Sequence, residues 1–92
     1  MQSDPEELIK SHKELTHSEM RIVKSHNQRE KDGWFINSIM IEDCDIPFKY
    51  KRKTKYKVLL KGQRINLTYY PKIETVAGLP FEIMKVVRIK RY

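Results

Sequence analysis

The residues best suited to chemistry in this chain lie between positions 48 and 57. There Phe-Lys-Tyr-Lys-Arg-Lys-Thr-Lys-Tyr-Lys places six basic and three aromatic side chains in ten positions. Lys49, Lys51, Lys53, Lys55 and Lys57 are odd, whereas Phe48, Tyr50, Tyr56 and Val58 are even. Strand side chains alternate with a period of two, so a β-hairpin turning around residues 52–55, with Arg52 in the turn, presents one cationic face. Such a ribbon suits a phosphate backbone: each lysine that meets a phosphate releases a condensed counterion, and tyrosines at its edge stack on unpaired bases. Arg64, Arg88 and Lys90 are expected to join it, and Lys61, Lys72, Lys85 and Arg91 extend the patch to a net +11 over residues 46–92. Lysine in these numbers favours phosphate contacts over base reading. The expected partner is therefore single-stranded DNA or RNA, with an acidic protein surface as the alternative. Lysines on an edge strand also prevent edge-to-edge association without any ligand.

Other chemistry is poorly supplied. The turn Glu42-Asp43-Cys44-Asp45 offers three carboxylates, where a hard cation takes about six oxygen ligands, so these acids are read as electrostatic partners of the basic hairpin. They also disfavour a Cys44 thiolate, and one cysteine builds neither an intrachain disulfide nor a structural zinc site. There is no Gly-rich phosphate loop and no histidine pair at ligating distance on a helix. No catalytic residue, metal or cofactor is expected, and the chain reads as a non-enzymatic binding protein.

The elements that carry these residues follow from a division near Gly33. Of the formal net charge of +7 over 92 residues, residues 1–33 contribute −1 and residues 34–92 contribute +8. All nine aromatic residues lie from Trp34 onward. The first part is expected to be one long helix. Asp4-Pro5-Glu6-Glu7 supplies a cap, a proline at the first helical position and early acids, no Gly or Pro intervenes before Gly33, and Asp32-Gly33 supplies a left-handed end. Leu8, Leu15 and Ile22 recur every seven residues, with Ser11, Ser18 and Ser25 between them. That stripe suggests a homodimer through the helix or packing along the second part.

From Trp34 the pattern becomes β-branched and aromatic. Strands are expected at 34–41, 46–51, 56–60, 64–70 and 81–90, with Pro71 closing the fourth and a loop over 71–79. Five strands joined by short turns predict an antiparallel meander closed into a small barrel. In general architecture residues 34–90 resemble the OB and SH3-like small barrels, through strand count and the Gly62 turn. The stretch 60–63 is too short for the helix that an OB barrel usually carries between its third and fourth strands, which favours an SH3-like connection. The expected fold is thus α+β, a helical segment over 1–33 followed by a barrel over 34–92. With no run of eighteen apolar residues and an acidic, polar start, a soluble cytoplasmic protein is expected.

Overall fold

The computed structural model describes residues 15–92. Regular structure among them is entirely β: β1 (Thr16–Lys31), β2 (Trp34–Ile41), β3 (Phe48–Arg52), β4 (Arg64–Val76) and β5 (Leu79–Arg91). The described residues are thus all-β where an α+β chain was expected, and the correction falls on the segment before Gly33. Residues 16–31 form a strand where a helix was expected. The remainder of that helix, with its capping residues 4–7 and Leu8, lies outside the described residues. The repeat through Leu15 and Ile22 therefore has no helix to lie on among the described residues.

Tertiary pairing overrides a weak local preference here. β1 pairs with β4 through residues 16–22 and with β2 through residues 23–31, so most of its backbone is held by a neighbour. Asp32 and Gly33 do not end a helix. With φ of 53° and 80° they are the two central residues of a hairpin turn whose flanking pair is Lys31 and Trp34. Positive φ at both positions matches the right-handed twist of the strands, and an Asp-Gly pair adopts it readily. The boundary expected at Gly33 is therefore a turn within one sheet.

The strands run in the order β1-β2-β3-β5-β4, and the β1·β4 pairing closes the circuit. This is not a meander. β3 and β5 pair in parallel, through Phe48 with Met84 and Lys49 with Lys85, while every other junction is antiparallel. Register shifts at Ser18/Arg21 and Val23/Ser25 let β1 serve two neighbours by bending it. At the first shift Met20 has a φ of 58°, and its N–H donates to Asn66 Oδ1 at 3.0 Å.

The expected strand at 56–60 is also corrected. With β1 and β5 on its two sides, β4 has no edge left for it. Residues 53–63 instead cross from the end of β3 to the start of β4 as a strap. Gln28 Nε2 donates to Tyr56 O, Arg91 Nη2 donates to Lys57 O, and Leu59 N donates to His26 Nδ1. Val23 exchanges backbone bonds with Gly62 and Gln63 at the strap's far end. Inside the closed sheet Val23, Ile39, Ile41, Phe48, Ile65 and Leu67 are almost fully buried, and Phe48 meets Tyr69 edge-on at 4.8 Å.

β4 does not stop at Pro71, and residues 71–79 are not a loop. β4 and β5 continue together to the turn Ala77-Gly78, whose φ values of 51° and 81° repeat the geometry of Asp32-Gly33. β1 leaves β4 at Tyr69, and β3 meets β5 only at Met84 and Lys85. Among the described residues, 71–76 and 79–83 are therefore a two-stranded arm whose outer edges pair with no further strand, so Pro71 and Pro80 cost no ladder bond there. No helix among the described residues is long and apolar enough to cross a membrane.

Candidate nucleic-acid interface

Cross-strand neighbours share a face of a sheet, so the register assembles the site. On the outer face Arg29 lies opposite Ile36, and Ile36 opposite Lys51. Lys31 lies opposite Trp34, Ser38 opposite Lys49, and Lys49 beside Lys85. The arm reaches over this surface and brings Lys72 and Glu74. Between the arm and the outer faces of β1, β2 and β3 lies a cleft of about 560 Å³. Six cations line it, Arg29, Lys31, Lys49, Lys51, Lys72 and Lys85, against one carboxylate, Glu74. Ile36, Tyr50, Thr75, Val76, Ala77 and Ile83 supply its uncharged lining.

Lys49 Nζ spans the cleft to Glu74 Oε1 at 2.9 Å. Their side chains are 31% and 38% exposed, so solvent screens the pair and its net contribution is small. The hydrogen bond from Lys49, with the charges of Lys49, Lys72 and Lys85, holds the Glu74 carboxyl below its ordinary range against the opposing effect of burial. That contribution is present above the ordinary carboxylate range and fades as pH falls through the lowered value. Lys85 shows the opposite imbalance. Burial first, then repulsion from Lys72 and Lys51, lowers its ammonium below the usual lysine value despite Glu74. With six cations against one carboxylate the cleft carries excess positive charge, which a bound anion would offset.

At the end of the cleft two lysines cover the Trp34 ring, with Lys53 Nζ at 4.2 Å and Lys51 Nζ at 4.8 Å from its centroid. Each such contact stabilises by about 0.5–1 kcal/mol at an exposed site. A stacked base is worth about 1–3 kcal/mol, comparable with the two lysine contacts together, so an exchange would be carried by the phosphate contacts the released lysines gain.

The expected ribbon is divided. Alternation holds only through β3, so Lys49 and Lys51 face the cleft; Tyr50, on the other face, still borders it, and Lys53 covers Trp34. Arg52, Tyr56 and Lys57, again with Tyr50, line a second cavity. Lys55 is exposed on the strap, and Arg64 is exposed at the start of β4. Arg88 and Lys90 line a separate groove with His17, Asn66 and Thr68. Arg29, Lys31 and Trp34 were not among the expected site residues, the first two because they had been placed on a helix. The Asp-Gly turn was the signal that would have brought all three onto one hairpin.

The acidic turn does not pair with the basic residues as expected. Glu42, Asp43 and Asp45 are exposed, and Lys49–Glu74 is the one ion pair among the described residues. Cys44 N instead donates to Ile41 O at 3.2 Å, which closes the turn on β2. Among the described residues no three His, Cys, Asp or Glu side chains are grouped to hold a metal ion.

Compared with known proteins, the chain matches no family model, no curated protein and no solved structure.

Proposed function

We propose that this is a non-enzymatic protein that binds single-stranded DNA or RNA, with the phosphate backbone lying in the cleft between the β4–β5 arm and the outer face of β1, β2 and β3. The observation that carries the reading is the convergence of six cationic side chains from four strands on one concave surface with a single opposing carboxylate. Phosphates in the cleft replace the mutual repulsion around Lys85 with attraction and release counterions. Trp34 at its end and Phe81 on the arm, the latter 49% exposed, are faces on which unpaired bases stack. The position adds support by analogy of arrangement. OB-class sheets take oligonucleotides on the face of their second and third strands, between the loops joining strands one to two and four to five. A cytoplasmic location fits this reading.

The test is fluorescence anisotropy of labelled 12-nucleotide DNA and RNA strands at about 50 mM salt, where phosphate contacts are strongest. Micromolar or tighter binding that weakens with added salt is expected. Absence of binding to either strand would end the reading. A second reading, an acidic protein in the same cleft, is favoured by the arm's exposed apolar tip of Ile73, Val76, Leu79 and Phe81. It predicts a protein partner that is retained after nuclease treatment and is lost on Val76→Ser with Leu79→Ser.

A further inference from the structure

Where the strap crosses the mouth of the closed sheet there is a second cavity, of about 460 Å³, a size typical of small-ligand sites. Its lining is unlike the apolar interior below it. β1 and β2 point His26, Gln28 and Asn37 inward at positions where a closed sheet ordinarily carries aliphatic side chains. Asn37 is 2% exposed, the one buried polar residue among those described. Its Oδ1 receives Gln28 Nε2 at 2.9 Å and meets His26 Nε2 at 2.8 Å, and its Nδ2 donates to Phe35 O at 3.1 Å. Because Leu59 N donates to His26 Nδ1 at 2.8 Å, that nitrogen carries no proton. His26 therefore donates from Nε2 to Asn37, and the whole chain of bonds has one direction.

Three uncharged polar atoms of the lining are left over. Gln28 Oε1, Tyr50 Oη and Tyr56 Oη make no hydrogen bond among the described residues, yet no side-chain nitrogen or oxygen there is both fully buried and unpartnered. All three therefore keep some exposure and can meet a ligand, the amide oxygen as an acceptor and the hydroxyls as donors or acceptors. Around them stand the faces of Tyr50, Tyr56, Leu59 and Ile89. Arg52, Lys57 and Arg91 complete the lining, which contains no acidic residue. The Arg52 guanidinium lies over the Tyr50 ring at 5.3 Å, and Arg91 uses Nη2 on Lys57 O, which leaves its other N–H groups free for a ligand.

A flat ligand with hydrogen-bonding edges, attached to an anion, matches this set. We infer that the cavity takes one nucleotide, its base against Gln28 and Tyr50 and its phosphate at Arg52, Lys57 and Arg91. The choice of ligand class rests on the nucleic-acid reading above. Tyr50 lines both the cleft and this cavity, so a strand lying in the cleft passes within one side chain of the mouth. A free mononucleotide and a turned-out base of a strand present the same chemistry.

The test is a nuclear magnetic resonance titration of the full chain with uridine and adenosine 5′-monophosphates, with the nucleosides and inorganic phosphate alone, and with a 12-nucleotide strand. At least one mononucleotide should bind in the millimolar range or tighter, moving the side-chain amide signals of Gln28 and Asn37 and the backbone amides of residues 56–59. Its nucleoside and inorganic phosphate should each bind about tenfold more weakly, a loss of about 1.4 kcal/mol. The strand should move the same signals if the base comes from a polymer. Lys51→Ala with Lys85→Ala should weaken the strand and leave mononucleotide binding intact, whereas Arg91→Met should weaken the mononucleotide. If neither mononucleotide moves the Gln28 and Asn37 signals and the strand perturbs only the cleft, this inference is overturned and the cleft reading stands. Mononucleotide binding here with no strand binding anywhere would support the cavity and overturn the cleft.

Discussion

Replacing Lys51 and Lys85 by alanine separates a built cleft from a merely basic protein. For single strands the logarithm of the binding constant falls with the logarithm of salt by about 0.7 for each phosphate neutralised. Of the six cations in the cleft, Lys49 is held by Glu74, which leaves Arg29, Lys31, Lys51, Lys72 and Lys85 for phosphates. Five contacts give a slope of about −3.5. Without Lys51 and Lys85 the slope should fall to about −2.1, and affinity near 0.1 M salt should drop about 25-fold. The control is Arg88→Ala with Lys90→Ala, which removes the same two charges from a net +7 but from the groove shared with His17 and Thr68. Screening over about 10 Å at this salt limits that loss to about threefold, with the slope near −3.5. Anisotropy from 50 to 300 mM salt, on the order of the range where such slopes are linear, measures both. Equal losses in the two variants, or the larger loss in the control, would refute the assignment to the cleft.

Three further outcomes follow from named contacts. The depressed ammonium of Lys85 is restored by a nearby phosphate, so strand affinity should be level at neutral pH and decline as pH rises through the lowered Lys85 value; Lys85→Arg should abolish the decline, as a pH series of anisotropy titrations checks. Strand binding should change the emission of Trp34, the single tryptophan, because Lys51 and Lys53 leave its ring, and binding without any emission change would contradict that exchange. His26→Ala removes the acceptor of Leu59 N–H and a donor to Asn37, so urea unfolding should show a loss of about 1–3 kcal/mol, with faster tryptic cleavage after Lys55 and Lys57 on the released strap.

What could be read from the sequence depended on whether a local pattern and its tertiary use agreed. In 34–41 and 64–70 they agreed: both runs read as strands, and Ile39, Ile41, Ile65 and Leu67 on them are residues the interior buries. β1 gave no such pattern. Its inward positions beyond Val23 include His26 and Gln28, which line a polar cavity instead of the apolar core, so alternation was hidden where the interior itself turns polar. Local rules fail in this way at sites that do something other than pack. Asp32-Gly33 was read as a helix end because a left-handed pair ends helices as well as turning hairpins, and the short-range signal does not distinguish the two. Pro71 was read as a strand end because a proline removes a ladder bond. On an arm whose outer edges pair with no other described strand, there is no ladder bond there to remove. The basic segment 48–57 was legible as charge, but its faces were not: the strand ends at Arg52, and the strap distributes the rest of the segment elsewhere.

The most direct measurement is the backbone amide shift footprint of the full chain with an unlabelled 12-nucleotide strand. The cleft predicts the largest shifts at Arg29, Lys31, Ile36, Lys49–Lys51 on β3, and Lys72, Ala77, Ile83 and Lys85 on the arm and its root. Largest shifts at Arg64, Arg88 and Lys90, with the cleft unmoved, would contradict it.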